Sequence, residues 1–183
     1  MTHSVERITD YDFTSSDALL LDANVWLFVY GPQKPRDSRV DVYSQALAKI
    51  LAAQSRIYID VLIVSEFINT YARLRWNFWK AQSESSNDFK KFRKSGNFNP
   101  VAQDIAADVK LVLKHCTRVE NGFESLAIDT LIDEYATGDF DFNDQILASL
   151  CNKIGLKLVT DDIDFKGRGI PVITANKRLL DFK

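Results

Sequence analysis

The sequence predicts an α/β protein, a three-layer α/β/α arrangement around a mainly parallel sheet of roughly five strands. Three observations lead there. Short apolar runs at 18–21, 57–61, 117–119, 156–160 and 170–173 alternate with longer segments of helical period, the pattern of strands joined by helical crossovers. The run Ala18, Leu19, Leu20, Leu21 is apolar at every position, as a strand covered on both faces requires. Carboxylates stand where runs end, at Asp22 and at Asp161, Asp162 and Asp164, the side on which open parallel sheets place their ligands.

Each element follows from its own residues. Residues 1–17 are polar, with Asp10, Asp12 and Asp17 among Ser and Thr, and read as a leader lying on the surface. The first strand ends in Asp22, and 31–35 read as a loop. Over 36–54 the positions Val40, Tyr43, Leu47, Ile50 and Leu51 make a helix. Residues 57–61 form a second strand, and the helix after it runs to 79 with Ile63, Val64, Phe67, Ile68, Tyr71 and Leu74 inward. Glu66 lies on a different line of that helix, with Leu62, Asn69 and Arg73, within the first turns that leave the sheet.

Residues 79–100 break the pattern. Aliphatics are few, the centre is Ser-rich, and Lys90, Lys91, Arg93 and Lys94 are interleaved with Phe89, Phe92 and Phe98. From Arg73 to Lys94 seven Lys and Arg stand against Glu84 and Asp88, a local charge of +5. Such a stretch either tracks a phosphate backbone and stacks bases, or is a solvated helical extension whose Phe residues pack on the body. A helix over 101–114 carries Ile105, Val109, Val112 and Leu113 inward, 117–119 is a short strand and 123–135 a helix.

The stretch from 138 to 165 reads as acidic turn, amphipathic helix, buried strand and second acidic turn. Ile146, Leu147, Leu150, Cys151 and Ile154 form the apolar face, and Asp139 or Asp141 caps the helix. Asp144 shares the inward side at the helix start, an unusual place for a carboxylate. Residues 170–173 close the sheet at an edge, because Pro171 cannot donate to a ladder. The organisation expected is one domain over 1–183, with a helical, basic insertion at about 80–100.

Composition narrows the class. The 183 residues are 46% hydrophobic with 12 Phe, which excludes disorder. Net charge is −2, so any affinity for nucleic acid must come from local charge. Cys116 and Cys151 are too few for a disulfide framework and lack metal spacing, and a reducing, cytoplasmic setting fits. His3 and His115 stand alone and read as surface or core-edge residues. The longest apolar run, 18–30, is broken by Asp22 and Asn24, and no leader of secretory type opens the chain, so no membrane span is expected.

Residues 119–152 hold eight Asp and Glu and no Lys or Arg; most read as solvated faces and caps. More selective is that Asp22, Glu66, Asp144 and Asp162 are each placed near one sheet edge by separate arguments. Carboxylates gathered so closely repel unless a cation neutralises them. Oxygen ligands without His or Cys suit Mg²⁺ or Mn²⁺, which can activate water against a phosphodiester. No nucleophile elbow, Gly-rich phosphate loop or zinc spacing competes. A phosphatase of the haloacid dehalogenase type would want Asp where Asn24 stands.

In order and spacing, Leu21–Asp22–Ala23–Asn24, Ser65–Glu66, Asn143–Asp144–Gln145–Ile146–Leu147–Ala148 and Leu158–Val159–Thr160–Asp161–Asp162–Ile163–Asp164–Phe165 resemble the PIN domain. More narrowly, they look like the VapC-type toxins of bacterial toxin–antitoxin pairs. The resemblance implies a Mg²⁺- or Mn²⁺-dependent endoribonuclease acting on RNA. Carried over by motif, Asp22, Glu66, Asp144 and Asp162 form the acidic quartet, Asp164 is an accessory metal carboxylate, and Asn24 and Thr160 orient the ligands. Arg73, Lys90, Lys91, Arg93 and Lys94 are the candidate RNA contacts. The chain departs from a small toxin in its length and in Gln145, where a small residue is common. The resemblance also implies a homodimer and a small antitoxin whose tail crosses the acidic site. Trp26, Trp76, Phe78 and Trp79 are large aromatics that either mark such an interface or are covered by the 80–100 insertion. A PIN fold kept as a non-catalytic RNA-binding or scaffold module is the alternative.

Overall fold

Six parallel strands form one sheet in the computed structural model, which describes residues 4–32, 37–83, 88–139 and 141–181. His3, positions 33–35 of the expected loop, the expected helix start at Arg36 and the 84–87 part of the Ser-rich centre lie outside these residues. The strands are β1 (Val5–Arg7), β2 (Ala18–Leu21), β3 (Arg56–Ile59), β4 (Cys116–Arg118), β5 (Lys157–Val159) and β6 (Val172–Thr174), in the order β1-β6-β5-β2-β3-β4. The helices among the described residues are α1 (Ala23–Tyr30), α2 (Ser38–Ala52), α3 (Val61–Ser83), α4 (Phe89–Arg93), α5 (Phe98–Lys114), α6 (Ile128–Tyr135), α7 (Phe142–Ile154) and α8 (Lys177–Leu180).

At the centre, Leu19, Leu20 and Leu21 of β2 are all fully buried. Successive side chains of a strand point to opposite faces, so the middle of the sheet is covered on both sides and three layers result. Leu20 pairs with Tyr58 of β3 on one flank and with Leu158 of β5 on the other. From β2 the chain moves outward to β3 and β4, whereas β5 leads the opposite way to β6 and β1. The carboxyl ends of β2 and β5 therefore flank the switch point, where such sheets open a crevice.

Several elements differ from expectation. The 1–17 segment is no surface leader: Val5–Arg7 pair in register with Val172–Thr174, Ile8 is 1% exposed, and Asp17 is buried against Lys157 at 2.7 Å. Only three residues pair, too few for an alternating pattern to announce a strand. Because β1 covers it, β6 is an inner strand and not the edge. Pro171 costs it nothing, since it stands just before the strand and offers its carbonyl to the Leu158 N–H at 2.9 Å. Helix α1 has apolar residues on nearly every side, and periodicity cannot separate such a run from the strand before it. In α2, Leu51 is 40% exposed instead of inward. The expected helix over 123–135 is a turn at Phe123–Ser125 followed by α6, parted by extended backbone at Leu126.

Residues 89–98 fold back on α3. Phe92 is 1% exposed, with its ring 5.0 Å from Trp79 and 5.6 Å from Phe98, and Phe89 lies 5.7 Å from Trp76. Trp26 is fully buried. Of the aromatics expected to mark an interface, Trp26, Trp76 and Trp79 are thus packed on Tyr30, Phe89 and Phe92, and Phe78, at 37%, is exposed. Among the described residues no helix is long and apolar enough to cross a membrane.

Candidate acidic site at the carboxyl ends of the central strands

Asp22 ends β2 and caps α1. One carboxylate oxygen accepts the Ala23 N–H at 2.6 Å, and the other accepts the Asn24 amide at 2.6 Å and the Thr160 hydroxyl at 2.7 Å. A short acidic side chain at a strand-to-helix junction forms this cap by local geometry alone. Thr160, fully buried at the end of β5, also accepts the Asp162 N–H at 3.0 Å. One hydroxyl therefore ties the ends of two neighbouring strands together, through the Asp22 carboxylate and the Asp162 backbone. Asn24 adds a second tie: its amide also donates to Thr160 at 3.1 Å, and its carbonyl oxygen accepts the Asp161 N–H at 3.2 Å.

Two helices bring the other acids. Glu66 sits in the second turn of α3, on an exposed position that nonetheless faces the cluster. Asp144 lies in the first turn of α7, where Asp141 caps the helix and accepts the Asn143 and Asp144 N–H groups at 2.8 and 3.4 Å. Gln145 is 3% exposed and donates to Glu134 of α6 at 2.7 Å, which fixes α7 to α6 behind the acids.

Their electrostatics show that these groups share one space. Burial pushes the Asp22 carboxyl up to about 7; the Thr160 hydrogen bond opposes this, and repulsion from Glu66 and Asp162 adds to it. Asp144 is also pushed up to about 7, by burial and then by Asp141, Asp22 and Asp162, with Arg168 partly offsetting. Glu66 is raised by partial burial and by Asp144, Asp162 and Asp141. These acids prefer to share protons or a cation instead of standing fully ionised together.

Asp22, Glu66, Asp144 and Asp162 thus lie near enough for charge on one to act on another, and Asn24 and Thr160 are bonded to Asp22. Asp164 stands at the margin: it is exposed, its N–H donates to Asp162 at 3.0 Å, and its backbone carbonyl holds Arg168 at 3.0 Å. Asp141 belongs to the cluster electrostatically, although its sequence position suggested only a cap. Asp161 does not join it. Its carboxylate accepts from Tyr43 at 2.9 Å and from Arg39 at 3.2 Å. Alternation along an extended backbone sends it away from its neighbours Thr160 and Asp162, a signal present in the sequence.

The basic residues lie along α3 and α4. Arg73 follows Glu66 by seven residues on α3, about 10 Å along the axis, and its guanidinium lies 4.9 Å over the Phe89 ring. The Arg93 guanidinium lies 5.8 Å from the Phe89 ring centre and 5.7 Å from that of Phe98. Lys90, Lys91 and Lys94 are exposed.

Could the acids hold a metal? Their donors are hard oxygens and their mutual repulsion rewards a cation, which fits Mg²⁺ or Mn²⁺. Among the described residues no three of His, Cys, Asp and Glu stand close enough to form a ready-made cage. That is compatible with Mg²⁺, which keeps several waters and needs only one or two carboxylates directly.

An all-parallel sheet whose switch point gathers mutually repelling carboxylates defines a class: an α/β domain with an acidic site at the carboxyl ends of its central strands. Residues 19–171 match the family model described as the PIN domain, so the chain belongs to the PIN domain family. PIN domains are generally nucleases, typically use divalent metals, and act on or bind nucleic acid. No curated protein matches the chain.

Proposed function

We propose that the protein is a divalent-metal-dependent endoribonuclease, hydrolysing RNA phosphodiester bonds at Asp22, Glu66, Asp144 and Asp162. The mutual repulsion of these carboxylates carries the reading, with Asp22 and Asp144 pushed to about 7. The four would hold Mg²⁺ or Mn²⁺, with Asp164 as an accessory ligand at the margin. When bound, the cation supplies an activated water and neutralises charge on the phosphodiester. The chain's own residues position that chemistry. Asp22 is held on both oxygens, and Asn24 and Thr160 fix its orientation and that of Asp162. Glu66 and Asp144 come from separate helices, α3 and α7, and would complete the ligand set. Asp22 and Asp144 give up protons as a cation binds, so affinity should rise with pH towards neutrality.

Arg73, Lys90, Lys91, Arg93 and Lys94 form the RNA-binding face in this reading, on a helical, basic insertion at 80–100 within one domain spanning the chain. The finer role, toxin of a toxin–antitoxin pair with a homodimer and a small antitoxin, is supported by the motif resemblance to VapC-type proteins. Trp76 and Trp79 pack against Phe89 and Phe92, while Phe78 stays exposed as the part of that aromatic surface open to a partner. Growth arrest on expression, relieved in an Asp22→Asn copy, is the result the toxin role requires.

Purified protein should cleave single-stranded RNA in Mg²⁺ or Mn²⁺ and stop when a chelator is added. Asp144→Asn keeps size and removes charge, and should lower cleavage by about a hundredfold or more, as loss of one catalytic electrostatic group does. Unchanged cleavage by this variant defeats the assignment. RNA binding by wild type without cleavage under any divalent metal favours the non-catalytic module.

A further inference from the structure

Beside the acidic site lies a cleft of about 530 Å³ whose lining includes Asn24, Phe28, Arg39, Asp162, Asn176 and Arg178. Asn24 and Asp162 belong to both, so the cleft adjoins the acidic site. Its wall is unusual because an arginine forms it without being free to act as an ordinary anion anchor. The Arg39 Nε and one terminal nitrogen donate to the two oxygens of Asp37 at 2.8 and 2.7 Å. The other terminal nitrogen donates to Asp161 at 3.2 Å. Two carboxylates balance its charge in the plane of the guanidinium.

That plane is backed by aromatics. The guanidinium carbon lies 4.7 Å from the Phe28 ring centre, and Phe28 is stacked on Tyr43 at 5.3 Å with an interplanar angle of 10°. Yet 47% of the Arg39 side chain is exposed. The result is a flat, held plate with three of its five N–H donors committed to carboxylates. Its position relative to the acids is also fixed. Asp161, which holds the plate, receives Tyr43 and Arg39 on its carboxylate, gives its carbonyl to the Asn176 amide at 2.7 Å, and gives its N–H to Asn24, the partner of Asp22. Arg178, exposed at the far rim, has no hydrogen bond from its guanidinium among the described residues.

We propose that this cleft is a nucleotide subsite, in which an unpaired base of the RNA strand stacks on the Arg39 guanidinium while Arg178 contacts a neighbouring phosphate. The proposal rests on the endoribonuclease reading. Guanidinium planes and aromatic rings both accept bases by stacking, and a plate with neutralised charge selects for a base face over a phosphate. The subsite would thereby set which nucleotide lies beside the scissile bond, with Arg39 as a positioning residue and not a catalytic one.

The test first scores RNA cleavage by wild type; no cleavage in any divalent metal defeats the nuclease reading itself. Binding of a labelled single-stranded RNA dodecamer is then followed by fluorescence anisotropy in the Asp144→Asn background, which keeps the strand intact. Arg39→Lys retains charge and removes the plate: affinity should fall about tenfold while the salt slope stays as in the parent. Arg178→Gln should flatten that slope by about 0.7. An abasic site moved along the dodecamer should weaken the parent at one position and leave Arg39→Lys indifferent there. The abasic scan on the parent needs no further substitution, so misfolding of a variant cannot mask the answer. Parental affinity in Arg39→Lys, an abasic scan without a sensitive position, or a slope change on Arg39→Lys equal to that of Arg178→Gln would each overturn the subsite, with cleavage by wild type leaving the nuclease reading standing.

Discussion

At the scale of single residues, one hydroxyl does more than its sequence suggests. Thr160 donates to Asp22 and accepts from the Asp162 N–H and the Asn24 amide, so it positions two acids without holding a charge itself. Thr160→Val has nearly the same shape but leaves the Asp162 N–H without its acceptor and removes one of the donors to Asp22, which keeps Ala23 and Asn24. Stability should fall by about 1–3 kcal/mol, the cost of stranding a buried polar group, read by thermal melting. Because the Thr160 hydrogen bond holds the Asp22 carboxyl down, its loss should raise that carboxyl further and weaken divalent-cation binding by calorimetry. Thr160→Ser keeps the hydroxyl and should restore both; a Val variant equal to wild type would reduce Thr160 to packing. That Asp22, Asn24, Asp144, Thr160 and Asp162 come to one end of the sheet is legible because each stands at or next to an element boundary. Glu66 lies further inside its helix and is placed by helical spacing. The tie from Gln145 to Glu134 was not legible, since it joins two helices whose contact no local pattern reveals.

Elements were legible in proportion to their length and periodicity. Helix α3, with a long inward line through Ile63, Phe67 and Tyr71, was plain in the sequence, whereas β1 has three residues and is held by non-local contacts, pairing with β6 and packing against the core and α8. For 80–100 the sequence offered two readings, and packing of Phe89 and Phe92 on α3 realises the helical extension on the body. Basic side chains remain outward on the same element, so packing and RNA contact are not exclusive. Phe92→Ala removes a ring that is 1% exposed and should cost about 3–5 kcal/mol, measured by denaturant unfolding. Replacing exposed Lys90, Lys91 and Lys94 together by Gln should leave stability within about 0.5 kcal/mol. RNA binding should then weaken, with a salt slope flatter by about 0.7 for each lost phosphate contact. Unchanged affinity and slope would make α4 a packing element only.

For the whole molecule, the sheet order decides the chemistry, and it was the part least open to sequence reading: strand order depends on which crossover goes which way, and no residue encodes that alone. Placing β5 beside β2 brings Asp162 and Thr160 to Asp22, while α3 and α7 add Glu66 and Asp144. The outcome is a fold that holds several acids in conflict, and this has a pH signature. Asp22 and Asp144 titrate near 3.8 when unperturbed and at about 7 in the fold, and Glu66 is raised too. Between these values the native state binds more protons than the unfolded chain, so stability declines as pH rises. The stabilising contribution is complete below about 4 and gone above about 7. Asp17, whose carboxyl is held down by Lys157 hydrogen bonding against its burial, acts oppositely and loses its contribution only at more acidic pH. The metal-free melting temperature should therefore fall from pH 4.5 to 7.5 relative to Asp144→Asn, whose asparagine cannot ionise; the interval is set about the two titration limits near 4 and 7. Millimolar Mg²⁺ should remove most of the difference at the upper end, because a ligand bound only by the native state stabilises by mass action. Parallel melting profiles for the two proteins across this range, with and without Mg²⁺, would mean that Asp144 is not under the repulsion assigned to it.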